Sequence, residues 1–372
     1  MATVSPPSSD VYGDRIGRAQ QQMTEQGIDV TFVGPSSDLQ YLIGIDAHLS
    51  ERLNLLILPA SGKPMLVVPV LEAPLAHTAS DLVEIHEWTE TESPAELVGK
   101  LTGDREGQTI AVSDQLWSGF LLNLQGTVLG ADWISAQPVM KPLRSTKDKH
   151  EIAILGEVSR LTDEAWHEFI EGGPVSGLTE TQAMERLAAL MQKRGLGSGF
   201  GICASGPNSA SPHHHTGDRV IEEGDAVIFD WGGTLHGYHS DVTRTVFVGT
   251  PSKKFRKVYD LVLRANQATL EAVKPGVPCE QLDATARDLI SGEGFGEYFI
   301  HRVGHGLGMD VHEEPYLVGG NTTPLVEGMV FSDEPGIYIE GEFGVRIEDS
   351  VVCTADGGRR LNDATRDLTV MD

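Results

Sequence analysis

Four carboxylates stand in register within two related stretches of this chain. Residues 221–232 and 325–336 align at a spacing of 104 residues, so that Glu223 meets Glu327, Gly224 meets Gly328, Asp230 meets Glu334 and Gly232 meets Gly336. After a three-residue change in turn length the spacing becomes 107, and Gly237 then meets Gly344 while Asp241 meets Glu348. Each copy predicts a turn, a strand ending in a carboxylate, a loop, and a returning strand with a second carboxylate. Two such hairpins packed about a pseudo-two-fold axis bring Asp230, Asp241, Glu334 and Glu348 together. Like charges in an apolar sheet interior repel one another and protonate unless cations balance them. Two divalent ions do so. His305 lies in the glycine-rich turn Gly304–Gly308, where backbone can approach closely, and offers a fifth donor. One imidazole and four carboxylates without a thiolate form a hard, oxygen-rich set. It suits Mn2+, Co2+, Fe2+ or a catalytic Zn2+ pair better than a structural zinc. Two metals about 3.5–4 Å apart hold a hydroxide at neutral pH and polarise a carbonyl, which is a hydrolytic device.

The elements that position these groups are readable in outline. The first ~145 residues read as an α/β unit. Its strands are expected at Val30–Val33, Leu53–Leu58, Met65–Val68 and Ile110–Val112, and its helices at Asp14–Gln26, Leu71–Ala79 and Pro94–Leu101. The basic segment Met140–Lys149 reads as a solvated linker, with Ser145 and Asp148 as a capping box for the helix that follows. Ile154, Val158, Leu161, Ala165 and Phe169 give that helix its apolar face, and Gly172-Gly173-Pro174 stops it. A second helix is capped by Thr179 and Gln182 and runs to about Arg194. A glycine- and serine-rich loop is expected over Gly197–Pro212, then strands at Ala226–Asp230 and Ser240–Val248. Helices follow at Ser252–Val273 and Cys279–Ile290, and strands near Val330–Glu334, Gly336–Ile339 and Val345–Cys353.

The chain has 372 residues, 28 Lys+Arg against 54 Asp+Glu, and a formal net charge of −26, which argues against binding a phosphate backbone. Hydrophobic residues make up 40%, a globular composition sufficient for two cores. Three scattered cysteines suggest neither a disulfide framework nor a thiolate zinc site and point to a reducing, cytoplasmic setting. Residues 1–10 lack the basic start and apolar run of a signal peptide, and no stretch is long and apolar enough to span a membrane.

Taken together, several segments resemble the metal-dependent pita-bread peptidases, in the Xaa-Pro dipeptidase (prolidase) and aminopeptidase P branch, closest to the bacterial Xaa-Pro dipeptidase type. The resemblance is carried by Asp230 with Ser240–Thr245, by Phe299–Gly306, by His312–Pro315, by Glu334–Tyr338 and by Gly344–Asp349. It covers nearly the whole chain. It implies an α+β protein: a creatinase-like α/β domain over 1–145 and a pseudo-two-fold pita-bread domain over 146–372. It also implies that Asp230 chelates one metal, that His305 and Glu334 bind the other, and that Asp241 and Glu348 bridge both. Glu334, His213 and His312 then fall at catalytic positions, and His301 and Arg346 at substrate-binding ones.

Two features depart from or blur the family pattern. Asp333 stands where an aliphatic residue is usual, and strand alternation turns it to the opposite face from Glu334. In the run His213-His214-His215, alternation puts His213 and His215 on one side and His214 on the other. Tyr238 and Tyr338 read as packing residues.

The expected reaction is metal-dependent hydrolysis of the bond preceding proline by a metal-bridged hydroxide, with Mn2+ or Co2+ foremost and Zn2+ or Fe2+ as further fits. Such a bond lacks an amide N–H and carries a rigid ring. Xaa-Pro dipeptides are favoured over the longer substrates of an aminopeptidase P. Relatives without the full metal set, such as creatinase, cleave non-peptide C–N bonds, and non-catalytic modules on this scaffold lose the acids; the five intact donors argue against both. A homodimer is expected.

Overall fold

A computed structural model describes residues 4–372. Its backbone contacts divide the chain into one unit of Pro6–Arg144 and another of Ser145–Asp372 with residues 4–5.

The first unit is built on a six-stranded sheet. Its strands are β1 (Val30–Val33), β2 (Leu55–Pro59), β3 (Met65–Pro69), β4 (Glu84–Trp88), β5 (Thr109–Val112) and β6 (Asp132–Ser135), in the order β4-β3-β2-β1-β5-β6. Both faces of β1 are buried, which is why Val30–Val33 reads as an unbroken apolar run. Phe32, Ile57, Val67 and Ile110 join Val98 and Leu124, from helices Pro94–Thr102 and Ser118–Thr127, in one core. The helix expected over Leu71–Ala79 is broken into a 3-10 turn, a short helix at Ala73–Ala76 and a second 3-10 turn. Leu71 and Leu75 stay exposed, so no apolar stripe holds a longer helix down.

The second unit opens with helix Lys149–Glu171, capped by Asp148 rather than Ser145: Asp148 accepts from the Glu151 backbone N–H while Glu151 accepts from that of Asp148. Trp166 on this helix stacks on Trp231 at 4.5 Å, and Phe169 meets Phe229 edge-on at 5.1 Å. These rings pin the helix against the strand that carries Asp230.

One sheet of this unit contains β7 (Gly197–Ser205), β8 (Ala226–Leu235), β9 (Tyr238–His239) and β10 (Val242–Val248). The other contains β11 (Gly304–Gly306), β12 (Glu313–Leu317), β13 (Val330–Asp333), β16 (Asp349–Thr354) and β17 (Gly357–Arg360). Between β13 and β16 the chain forms a hairpin of β14 (Gly336–Ile339) and β15 (Phe343–Arg346), and β18 (Thr369–Met371) closes the first sheet beside β10. Helices Lys253–Ala272 and Cys279–Gly292 contribute Phe255, Val258, Leu282 and Ile290 to a core shared with Phe331, Ile337 and Val351.

Several expectations change here. The glycine-rich "loop" over Gly197–Pro212 begins as the nine-residue strand β7. A Cβ at Gly199 would lie 2.0 Å from the Gly232 carbonyl oxygen, so its glycines mark close backbone approach, not a turn. Strand β8 runs on past Asp230 to Leu235, so Asp230 sits mid-strand, while β13 stops just before Glu334.

The two copies share their turn geometry: Gly224 and Gly328 take φ of 97° and 93°. The hairpin-turn partner of Gly237 (φ 84°) is Gly341 (φ 76°), not Gly344, which lies inside β15 against the Ser209 carbonyl. The length change therefore falls after the turn.

The copies are stitched to each other. The Glu348 backbone N–H donates to the Thr243 carbonyl at 3.1 Å, and Arg346 N–H donates to the Thr245 hydroxyl at 3.0 Å.

Candidate metal centre and substrate cavity

Asp241 immediately precedes β10 and Glu348 immediately precedes β16, which places both at strand entrances facing each other across the stitched seam. His305 is held at the middle of the three-residue strand β11; its backbone N–H donates to the Ser332 hydroxyl at 3.0 Å. Its Nδ1 lies 3.1 Å from the Gly306 carbonyl, which fixes the ring with Nε2 directed into the cavity. That Nε2 lies 3.2 Å from Glu334 Oε1 and 3.7 Å from Asp241 Oδ2. Donor atoms of Asp241, His305 and Glu348 all lie within 4.8 Å of one another.

All nine residues singled out from the sequence line one cavity of about 540 Å3: His213, Asp230, Asp241, His301, His305, His312, Glu334, Arg346 and Glu348. Phe200, Ile202, Pro212, Arg302 and Val311 complete its wall. Sequence reasoning missed these five. Phe200 and Ile202 were hidden because β7 was read as loop, although their two-residue spacing is the signal of a shared strand face.

The electrostatics are those of an acid cluster short of positive charge. Burial, reinforced by Glu348, Asp230 and Glu334, pushes Asp241 well above the usual carboxylate range. Burial and the charges of Glu334 and Asp230 do the same to Glu348, although the Thr243 hydroxyl donates to it at 2.6 Å. Asp230 is also raised by burial, against the pull of Arg346, whose Nη2 lies 2.7 Å away. Glu334 goes the other way: burial opposes ionisation, but the hydrogen bond and charge of His305, with His301 and Arg346, bring it down to about 2. Four carboxylates, of which Arg346 pairs with Asp230 alone at 2.7 Å, form a donor set that divalent cations fit, by charge and by ligand type.

The substrate-side groups are less free than the sequence suggests. His301 has Nδ1 2.7 Å from the Arg302 carbonyl and Nε2 2.8 Å from the Tyr338 hydroxyl. Tyr338, expected to be a packing residue, is buried and also accepts from Arg346 Nη1 at 2.9 Å, so it couples two cavity residues. Alternation from Glu334 through Gly336 to position 338 was the signal for it. His312 packs its ring on that of His305, centroids 4.0 Å apart, and burial together with His305 lowers it to about 4.

The run 213–215 is not a strand; it follows a turn in which the His214 backbone N–H donates to the Ser211 carbonyl at 3.2 Å. His213 lines the cavity, while His214 Nε2 turns to the buried Glu180 at 2.8 Å. That carboxylate also receives Ser205, Asn208 and Gly217. His215 is exposed and is not part of the cavity wall. Asp333 is fully buried with neither carboxylate oxygen hydrogen-bonded, paired across β13 and β16 with Asp349. Burial and Asp349 push it well above the usual range.

Comparison with known proteins agrees along the whole chain. The sequence pattern of Metallopeptidase family M24 matches residues 153–355, and that of the Creatinase/Prolidase N-terminal domain matches residues 15–146. A Mycobacterium tuberculosis protein named "Probable dipeptidase PepE" is 40% identical over 98% of this chain and 97% of its own. The crystal structure of dipeptidase PepE from Mycobacterium ulcerans superposes with a TM-score of 0.93 at 40% identity, covering 99% of this chain and 100% of that one. The crystal structure of a prolidase from Thermococcus sibiricus gives 0.92 at 39% identity, covering 97% and 99%.

Proposed function

Since this chain belongs to metallopeptidase family M24, with a creatinase/prolidase N-terminal domain, we propose that it hydrolyses the peptide bond preceding proline, with Xaa-Pro dipeptides as its substrates. The observation that carries this reading is the convergence in one cavity of four carboxylates and an imidazole with three further imidazoles and two guanidinium groups. The names of the similar dipeptidases and prolidase support it. Asp230, Asp241, His305, Glu334 and Glu348 would hold two divalent cations, Mn2+ or Co2+ first and Zn2+ or Fe2+ by the same donors. When bound, such a pair makes water acidic near neutral pH and polarises a carbonyl.

The rest of the chemistry belongs to side chains of this chain. Glu334, whose carboxyl is held below its ordinary range, takes a proton from the attacking water and returns it to the proline nitrogen, which has no hydrogen of its own and must gain one to leave. His213 donates to the carbonyl oxygen as negative charge develops there. His312 faces the same cavity, beside His305. Arg346 takes the terminal carboxylate of the proline. Phe200, Ile202, Pro212 and Val311 give the apolar surface for ring and side chain. His301 offers its ring, because both its nitrogens are engaged.

The same reading takes the protein as a cytoplasmic homodimer. Its three buried cysteines, none in a disulfide, suit a reducing compartment, and sedimentation tests the dimer.

The deciding assay compares Xaa-Pro dipeptides with Xaa-Pro-Xaa tripeptides after reconstitution with Mn2+ or Co2+. Higher kcat/KM on the dipeptides is expected. A preference for tripeptides makes the protein an aminopeptidase P, and inactivity on every proline substrate rejects the reading. A second prediction separates the histidines. His213→Ala lowers kcat about 10²–10³-fold, as loss of an oxyanion donor does, with bound metal unchanged. His214→Ala and His215→Ala stay within a few-fold of the parent. Equal kinetics for His213→Ala and the parent would remove His213 from the mechanism.

A further inference from the structure

The segment Met140–Lys149, basic and read from the sequence as a solvated linker, sends one of its cations into the interior. Lys147 Nζ lies 2.7 Å from Glu313 Oε1, with side-chain exposures of 1% and 9%. Neither residue lines the substrate cavity. Glu313 is the neighbour of His312, and its carboxylate folds back over the loop that presents Val311 and His312. A Cβ added at Gly308 would lie 2.5 Å from Glu313 Oε1, and the Asp310 N–H points at Oε2 from 3.4 Å. Backbone bonds also fasten the loop, Leu307 N–H to the Val330 carbonyl at 3.0 Å and His239 N–H to the Gly308 carbonyl at 2.9 Å, and the His312 ring packs on that of His305.

Lys147 is itself held firmly. Its N–H donates to the Gly328 carbonyl at 2.9 Å, and its own carbonyl would lie 2.7 Å from a Cβ at Gly328. Gly328 is the turn that leads into β13, at whose far end Glu334 stands. The pair therefore connects the turn before the Glu334 strand to the loop that presents Val311 and His312 to the cavity. A buried ion pair of this kind adds little net stability over an apolar pair, but removing one partner strands the other charge, so what it contributes best is a fixed geometry.

We propose that Lys147 is a positioning residue: through Glu313 it sets where His312 and Val311 stand in the substrate cavity. Its activity readout rests on the hydrolysis proposed above, so the test includes a readout that needs no substrate. Lys147→Met, Lys147→Arg and Glu313→Gln are compared by hydrogen exchange over 307–313, kcat, KM, bound metal and Tm.

Lys147→Met is expected to speed exchange in that loop and to leave bound metal unchanged. It should also lower kcat by about 10-fold or more, as small misplacements of reacting groups do, with KM within about 3-fold. Lys147→Arg recovers most of the loss. In a His312→Ala background, Lys147→Met costs no more than about 2-fold further, because the two act through one group. If Lys147→Met fails to fold, Lys147→Met/Glu313→Gln, which buries no unpaired charge, carries the same expectations.

A fall in Tm with kcat and loop exchange unchanged overturns the proposal. So does a loss that multiplies in full on His312→Ala. A parent protein that cleaves no proline peptide rejects the substrate reading instead, and loop exchange still decides the role of Lys147.

Discussion

Stripping divalent metal is expected to abolish hydrolysis, and adding Mn2+ or Co2+ to restore it. The chemistry assigned to the cavity needs a nucleophile at neutral pH and a polarised carbonyl, and the protein groups alone provide neither at the required strength. The same removal has a stability signature with a definite sign. Asp241, Glu348 and Asp230 have folded-state pKa values raised above those of the unfolded chain by burial and mutual repulsion. A carboxyl raised in this way binds its proton more tightly in the folded state. Its contribution is present below the unfolded value of about 4 and is lost as pH rises through the higher folded value. Metal-free protein therefore loses Tm as pH rises from about 5 to 8, the range above the ordinary carboxyl value. Glu334, brought down to about 2, acts in the opposite sense, and its contribution disappears only in acid below that window.

Cations require the deprotonated acids, so the gain in Tm on adding metal grows across the same range. At 100 times the dissociation constant each ion contributes about 2.7 kcal/mol. Calorimetry at pH 5 and pH 8 with and without Mn2+ measures this. Equal gains at both values, or full activity in chelated protein, would contradict the assignment.

Glu334→Gln should be the most damaging single substitution. The carboxylate sits 3.2 Å from His305 Nε2 and 3.2 Å from the Ser332 hydroxyl, in a position to ligate and to move a proton. Glutamine keeps the shape and loses both functions. General acid–base catalysis alone accounts for about 10²–10⁴ in rate, and weaker metal binding adds to that, so kcat falls by more than 10⁴ at sub-saturating metal. Raising the metal concentration recovers the binding part and leaves the proton-transfer part. A variant whose kcat returns to normal at high metal would reduce Glu334 to a ligand.

The convergence of the acids was legible because they lie in two repeats whose strands and turns are ordinary β signals. Gly224 and Gly328 hold the same left-handed conformation in both. What was not legible depends on partners far away in the chain. Strand β7 looks like loop because its glycines answer to the backbone of β8, a neighbour that composition does not reveal. Lys147 looks solvated because its partner Glu313 is 166 residues on. The helix cap was misplaced by a few residues since Ser145, Thr146 and Asp148 all qualify locally, and packing of Thr146 beside Met329 selects Asp148. The histidine run was assigned by alternation in a segment that has none.

The stitched seam between the two repeats also bears on how the molecule is made. Glu348 meets Thr243 across 105 residues, and neither hairpin alone carries more than part of the donor set. Contacts of such separation form late, after the entropy of closing a long loop has been met. A nascent chain released from the ribosome with only its first hairpin folded has no cage for a cation. If the cavity holds the proposed cations, they can be gripped in full only after this seam has closed.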